Sequence, residues 1–233
     1  MSTIDPHASL AALVLDEPGR AELFERLGLD YCCRGERSLD TACTQQDLDV
    51  DTVVRVLEAH AGTSTPTAED EHDWRRASTA DLCDHIVEAH HDRLRHELPR
   101  LGETLTTVVR VHGGDDPQLD ELARVFSSFA GELLVHLDRE EQVLFPACRA
   151  VEVGAPVDPQ ALLDELEHDH ADVGETLLVL RDLAGGYRSD AARCSTHRAL
   201  LDGLRALERD LHQHIHEENN VLFPRVRSRL AAA

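Results

Sequence analysis

The segment His136-Leu-Asp-Arg-Glu140-Glu-Gln-Val-Leu-Phe-Pro146 decides the fold, because His214-Ile-His-Glu-Glu218-Asn-Asn-Val-Leu-Phe-Pro224 repeats its pattern. In each copy a glutamate follows a histidine by four residues and precedes Val-Leu-Phe-Pro. Residues four apart on an α-helix lie on one face, separated by ~6 Å along the axis. The imidazole and the carboxylate of each copy therefore face the same point, and the repeat predicts two equivalent helices in one bundle.

Four long helical patterns contain or flank this repeat. Ser78-x-x-Asp81 has the form of a capping box, and two Asp-Pro pairs mark further helix starts. The breaks between the patterns are short, which makes consecutive helices antiparallel neighbours. The sequence predicts an up-down-up-down four-helix bundle with helices at roughly 79–111, 117–150, 159–184 and 190–230. The helices that contain Pro99, Pro146 or Pro224 are expected to kink or stop near that proline.

A breaker-rich segment from Gly62 to Asp70 separates this bundle from the N-terminal part of the chain. It has no apolar periodicity, so it is typical of a linker. We therefore expect an all-α protein in three parts. These are a small helical domain over residues 1–61, a linker over 62–77 and a four-helix bundle over 78–233.

Composition limits the functions that fit. The chain has 233 residues, 42% of them hydrophobic, and a formal net charge of −22, which disfavours binding to nucleic acid or to an anionic membrane surface. No signal-peptide pattern and no apolar run of ~18 residues is present. The sequence predicts a cytoplasmic protein with reduced cysteines, no membrane association and no nucleic-acid partner.

The fifteen histidines and abundant carboxylates are the donor types of a transition-metal site. A single His-x-x-x-Glu is most simply a surface pair worth a few tenths of a kcal/mol. Two copies at the same place in a repeat favour a metal site, because buried histidine and glutamate without a partner would cost ~1–3 kcal/mol each. His136, Glu140, His214 and Glu218 are therefore candidate ligands.

Further histidines must complete the ligand set, and several are available on the first and third helices. Register favours His91 and His170, which occupy corresponding positions in the repeat. Their neighbours point ~100° or ~200° away around the helix. The alternatives are His85, His90, His96 and His168; His90 and His168 are expected in solvent, and His212 and His216 on the surface.

Iron is the metal that this donor set favours. Six nitrogen and oxygen ligands shared by two ions suit octahedral metals with an open position, whereas zinc prefers closed four-coordinate sites that are often rich in cysteine. Manganese remains an alternative.

At these residues the sequence resembles the iron-sulfur cluster repair di-iron proteins, also called repair of iron centres, which end in a hemerythrin-like bundle. Gly28-Leu-Asp-Tyr-Cys-Cys-Arg-Gly35 and Ser38-Leu-Asp-Thr-Ala-Cys43 resemble the small ScdA-like domain that precedes that bundle. The resemblance spans nearly the whole chain. It implies two non-haem irons bridged by Glu140 and Glu218, with six ligands: His91, His136, Glu140, His170, His214 and Glu218.

One residue departs from the family pattern. Two glycines commonly follow the paired cysteines, and Arg34 replaces the first of them. This predicts a more restricted turn and a lowered pKa for a nearby thiol. Cys32 and Cys33 either pack structurally or handle redox equivalents, nitric oxide or metal, since adjacent cysteines rarely meet disulfide geometry.

The resemblance implies repair of iron-sulfur clusters damaged by nitrosative or oxidative stress, through iron donation or NO handling. Damaged iron-sulfur proteins are then the partners, and NO or O₂ the small ligands. The alternatives are a hemerythrin-like carrier or sensor of O₂ or NO, and an enzyme that reduces NO to nitrous oxide. Whether the protein is an enzyme stays open, as do the client proteins, the electron donor and the oligomeric state, for which a homodimer is one option.

Overall fold

A computed structural model describes residues 4–60 and 73–232 of the chain, without the side chain of His60. Regular structure in these residues is helical, apart from an isolated antiparallel bridge between Ser9 and Ser38. The all-α class predicted from the sequence is therefore confirmed. Within 4–60 and 73–232, no helix is both long enough and apolar enough to cross a membrane. Most of the predicted linker, residues 62–72, lies outside the described residues.

The chain divides into two compact units. The first contains the N-terminal residues through Ser78 together with Ile215–Arg225. The second contains Thr79–His214 together with the residues from Val226 onward. The last helix of the chain therefore supplies residues to both units, and the domain boundaries at residues 61 and 78 stay a prediction.

Within residues 4–60, four short helices build the N-terminal part of the first unit. Ser9 caps the first of them, because its hydroxyl oxygen accepts a hydrogen bond from the backbone N–H of Ala12. Phe24, Leu39 and Leu57 are fully buried, and each contributes about 1.5–3 kcal/mol through burial. The helices are α1 (Leu10–Asp16), α2 (Arg20–Leu27), α3 (Leu39–Gln45) and α4 (Val50–His60).

Four long helices follow, and we call them the first to fourth bundle helices. Three of them contain a π-helical turn, which separates two α-helical segments. Their order confirms the predicted four-helix bundle. The first consists of α5 (Thr79–Ile86), π1 (Val87–His91) and α6 (Asp92–His112), the second of α7 (Gln118–Arg139), π2 (Glu140–Leu144) and α8 (Phe145–Glu152), the third of α9 (Gln160–Leu183), and the fourth of α10 (Ser195–Glu217), π3 (Glu218–Leu222) and α11 (Phe223–Ala231).

The helix starts show how the sequence sets these bounds. The carboxylates of Asp116 and Asp158 each accept a hydrogen bond from the backbone N–H two residues later, as the Asp-Pro signals predict. At the first bundle helix the N–H of Thr79 donates to the carboxylate of Glu152, 2.9 Å away. Because Glu152 lies 73 positions from Thr79 in the chain, the local sequence could not predict this hydrogen bond.

One expectation about a helix start was wrong. The fourth bundle helix begins at Ser195 rather than near residue 190, because Gly185–Tyr187 and Ser189–Ala191 form short 3₁₀ turns first. The bundle helices continue through their prolines rather than stop there, so the kink, the other predicted alternative, stays a prediction. Pro99 lies inside α6, and the other two prolines occupy the second residue of α8 and α11, directly after a π turn.

A leucine-rich core fills the second unit. On α6 the buried side chains of Leu94, Leu98, Leu101 and Leu105 recur every three or four residues, which is the spacing of one helix face. Phenylalanines and leucines of α7 and leucines of α9 and α10 also belong to this core. The candidate ligands lie next to it along the chain, so packing fixes the helix segments that carry them.

Candidate metal centre

Five of the six predicted ligands come together inside the second unit. His91 and Glu140 are fully shielded from solvent, His170 and His214 are 1% exposed and His136 is 9% exposed. They come from all four bundle helices. Burying five such groups together is costly unless each has a partner, so the cluster indicates a bound cation.

Glu140 lies at the centre of this cluster. Its Oε1 is 2.9 Å from His136 Nε2 and 3.4 Å from His170 Nε2. Its Oε2 is 3.4 Å from His91 Nε2 and 3.9 Å from His214 Nε2. The two oxygens of one carboxylate therefore face two different histidine pairs, which is the arrangement of a carboxylate that bridges two metal ions.

The spacing within each histidine pair fits coordination to one ion. The Nε2 atoms are 3.1 Å apart in the His91–His214 pair and 3.2 Å apart in the His136–His170 pair. With metal–nitrogen bonds of about 2.0–2.1 Å, two ligands separated by about 90–109° at the metal would lie ~2.9–3.3 Å apart. Both pairs fall in that range, so the residues present fit two metal ions.

A neighbouring carboxylate fixes the orientation of His91. Its Nδ1 lies 2.8 Å from Oε1 of Glu141, which is also 2.6 Å from Nη1 of Arg95. Arg95 in turn contacts Asp138 at 2.6 Å. Because the carboxylate accepts the Nδ1 proton, Nε2 carries the lone pair that faces Glu140, as a metal-binding histidine requires.

Burial sets the charge state of His214. It lowers the pKa of this imidazole well below the usual value, and the neighbouring His91 lowers it further, against the opposing effect of Glu140. A neutral imidazole is the form that binds metal. The local environment therefore keeps this candidate ligand ready to coordinate at neutral pH.

Three π turns, which were not predicted from the sequence, place residues of the predicted ligand set. His91 is the last residue of π1, while Glu140 and Glu218 are the first residues of π2 and π3. In each turn an N–H bonds to a carbonyl five residues back, such as Phe145 to Glu140. Single π turns of this kind are frequent at functional sites. The shared Val-Leu-Phe-Pro that overlaps two of them is a sequence signal for this feature.

Glu218 is fully buried and begins π3, one turn after His214. This repeats the relation between Glu140 and His136 in the second bundle helix. Its place in the ligand set is a proposal that we make below.

Two histidines lie elsewhere than predicted. His90, expected in solvent, is buried; its Nδ1 is 3.2 Å from Asp210, and its ring stacks on His214 with centroids 5.5 Å apart. His216, expected on the surface, is 6% exposed. His90 is buried because the inner face of a bundle helix spans 100° or more and takes in the residue beside a ligand. His216 lies about 200° around its helix from His214 and is buried for another reason, since its Nδ1 contacts the backbone carbonyl of Tyr31 at 3.2 Å. His168 is exposed, as predicted.

A half-open cavity of about 250 Å³ reaches this centre between the second and third bundle helices. Phe129 and Leu133 form part of its apolar wall, and Arg139 and Asp169 are among its polar lining. His136 also lines it. A small molecule could therefore approach the His136–His170 half of the centre from this side.

The paired cysteines lie in the first unit, between α2 and α3. Cys32 is buried, Cys33 is half-buried, and neither forms a disulfide. The pKa of Cys32 is raised well above its usual value, first by a hydrogen bond with Cys33 and then by burial. Arg34 was expected to lower the pKa of a nearby thiol, and for Cys32 that direction was wrong.

Comparison with known proteins agrees with both parts of the chain. The hemerythrin HHE cation binding domain matches residues 83–226, and a domain of unknown function, ScdA_N, matches residues 6–61. Relatives from Pectobacterium atrosepticum and Escherichia coli, each named iron-sulfur cluster repair protein YtfE, are 36% identical over 217 residues. These alignments cover 93% of this chain and 95% or 94% of the relative. A relative of the same name from Enterobacter is 35% identical over 216 residues.

Proposed function

This chain belongs to the family of iron-sulfur cluster repair proteins that carry a hemerythrin-type cation-binding domain, and on that premise we propose that it restores iron-sulfur clusters after nitrosative or oxidative damage. The relatives are named for iron-sulfur cluster repair, and the alignments cover nearly their whole length. The rival functions of O₂ or NO carrier and of NO reductase have no such support. The clients are then iron-sulfur proteins that have lost or damaged a cluster.

The observation that carries the proposal is the position of Glu140 between two histidine pairs. We assign each pair to one non-haem iron and Glu140 to the bridge between them. By the repeat, Glu218 supplies the second bridging carboxylate, because it follows His214 as Glu140 follows His136 and is equally buried. The proposed ligands are His91, His136, Glu140, His170, His214 and Glu218.

When bound, such a pair of irons supplies releasable ferrous iron and open coordination positions for small ligands such as NO or O₂. The residues of this chain set the conditions for that chemistry. Burial excludes water from the carboxylate and keeps the imidazole of His214 neutral, while Glu141 holds the His91 ring in place. The cavity beside His136 gives one half of the centre access to solvent.

Metal analysis and Mössbauer spectroscopy on anaerobically purified protein test the assignment. We expect about two irons per chain in the wild type. His170→Ala should lose iron, because it removes a buried ligand candidate. His168→Ala is the matched control, since this exposed histidine lies two residues earlier on the same helix. Full iron content in His170→Ala, or an equal loss in His168→Ala, would refute the site.

The repair function needs a separate measurement. An iron-sulfur dehydratase inactivated with NO is incubated anaerobically with the iron-loaded protein, a reductant and a sulfide source, and recovered activity is followed. The wild type should restore activity faster than an equal amount of free ferrous iron. A Glu140→Gln variant that has lost iron should not. If wild type and variant act alike, the protein does not repair clusters through this centre.

A further inference from the structure

The two sulfur atoms of the Cys32–Cys33 pair have the separation of two thiolates on one metal ion. Their Sγ atoms are 3.7 Å apart. Metal–sulfur bonds of about 2.3 Å at a tetrahedral angle would place the two sulfurs ~3.8 Å apart. A disulfide would need about 2.05 Å. The pair is therefore far from a disulfide and close to the spacing of a chelate.

Asp30 supplies a third donor beside the two sulfurs. Its Oδ1 is 3.4 Å from the Sγ of Cys32. Ligand atoms of Asp30, Cys32 and Cys33 all lie within 4.8 Å of one another. The carboxylate and Cys33 are open to solvent on one side, so an ion could enter and still keep a free fourth position.

The loop that carries these donors is already held in shape. The Oδ1 of Asp30 accepts hydrogen bonds from the backbone N–H groups of Cys32 and Cys33, at 3.2 and 2.9 Å. The amide of Asn220 donates to the Cys32 carbonyl at 3.0 Å, and Nδ1 of His216 donates to the Tyr31 carbonyl at 3.2 Å. Binding an ion would therefore order little additional chain.

The loop needs a glycine at position 35 because the space around its Cα is already filled. A Cβ added there would lie 2.4 Å from the Tyr31 carbonyl oxygen and 2.8 Å from Oδ1 of Asn220, so no side chain fits. Arg34, which replaces the other glycine of the family pattern, is exposed and does not adopt positive φ. The backbone at this position therefore does not require a glycine, and the effect of arginine on the freedom of the turn stays a prediction.

We propose that Asp30, Cys32 and Cys33 bind one thiophilic divalent ion of the Zn²⁺ or Fe²⁺ class in an open tetrahedral site. This site shares no residue with the proposed ligand set of the bundle and does not depend on the repair function. Two thiolates and a carboxylate are a donor set that such ions accept.

Cobalt titration of the full, iron-loaded chain under reducing anaerobic conditions tests this site. Bound Co²⁺ should give a thiolate-to-cobalt charge-transfer band that saturates at one equivalent and disappears on competition with Zn²⁺ or Fe²⁺. Cys32→Ser and Cys33→Ser should each weaken binding at least tenfold. Cys194→Ser is the control, because that cysteine is exposed and lies in the other unit. Unchanged helicity and iron content in each variant show that the bundle is intact.

Absence of the band in the wild type, or its persistence in the Cys32→Ser, Cys33→Ser double variant, would overturn the proposal. Asp30→Asn separates two roles of this residue, because the amide oxygen can still accept the backbone hydrogen bonds but carries no charge. We expect it to weaken cobalt binding. Asn220→Leu, which removes the anchor of the Cys32 carbonyl, should weaken binding ~10-fold as an outer-sphere change does. Wild-type affinity in both variants would contradict the assigned geometry.

Discussion

Replacing Glu141 by alanine should weaken iron binding at the His91 half of the centre. The Glu141 carboxylate accepts a hydrogen bond from Nδ1 of His91 at 2.8 Å, and this hydrogen bond sets the tautomer of the ring. Without it, the imidazole can rotate or place its proton on Nε2, which then no longer coordinates. The ligand residues themselves stay unchanged in this variant.

The size of the effect follows from the contacts. Loss of an outer-sphere partner of a metal-bound histidine typically costs 10–100-fold in affinity, or about 1.4–2.7 kcal/mol. The Glu141 contact should lie within that range, because the His91 ring is fully buried while the Glu141 side chain, 30% exposed, gives water partial access to the vacated site. Glu141→Gln keeps an oxygen acceptor and should recover part of the loss.

Competition with a ferrous chelator, measured anaerobically, gives the affinities. Asp138→Asn is the matched control, because Asp138 binds the same Arg95 at 2.6 Å but its side chain is 58% exposed. An exposed pair of this kind contributes 0–1 kcal/mol, so iron affinity should change little. The reasoning fails if Glu141→Ala binds both irons as wild type, or if Asp138→Asn loses as much.

Three further predictions concern the fold. Leu101→Ala should lower the free energy of unfolding by about 2–5 kcal/mol in urea titrations, whereas Leu178→Ala, at a 58% exposed position, should change it by less than about 0.5 kcal/mol. Gly35→Ala should cost roughly 1–3 kcal/mol or more, because its Cβ would overlap the Tyr31 carbonyl; a wild-type melting temperature would contradict this. Burial, and then nearby positive charge, lowers the pKa of His197. The stabilising contribution of the neutral ring is therefore present above about pH 6.5 and is lost on acidification. His197→Gln should flatten the dependence of unfolding free energy on pH between about pH 7 and 5, and an unchanged slope would count against this reasoning.

The sequence predicted the parts of the fold that depend on periodicity and on local signals. The stripe of leucines in α6 and the Asp-Pro starts of α7 and α9 are visible in the chain, and the structure has them within a residue or two. The π turns were not predicted, because a change from four-residue to five-residue hydrogen bonding leaves the composition almost unchanged. A helical period of 3.6 also does not identify which of two adjacent histidines is buried, as His90 shows.

The side chains that contact the candidate ligands could not be predicted from the sequence for a different reason. Glu141 contacts His91 from another bundle helix, and the carbonyls of the cysteine loop are bound by side chains nearly two hundred positions later in the chain. Such contacts depend on how helices pack. Only the residues that every copy of a repeat must keep, such as His136 and Glu140, can be recognised from spacing alone.

The two copies of the repeat use their non-ligand positions differently. In the first copy, Asp138 and Glu141 bind Arg95, and Glu141 orients a ligand histidine. In the second copy the corresponding positions hold His216 and Asn219, which contact backbone carbonyls of the cysteine loop.

This difference follows from the chemistry of the partners. Carboxylates suit an arginine and an imidazole N–H, because both are donors, whereas a carbonyl accepts and requires an N–H donor such as an amide or an imidazole. A swap of Asn219 to Glu should therefore disrupt the loop of Cys32, since a carboxylate would face a carbonyl oxygen. The shared histidine and glutamate define a metal centre, and the residues between and after them decide what else each helix holds in place.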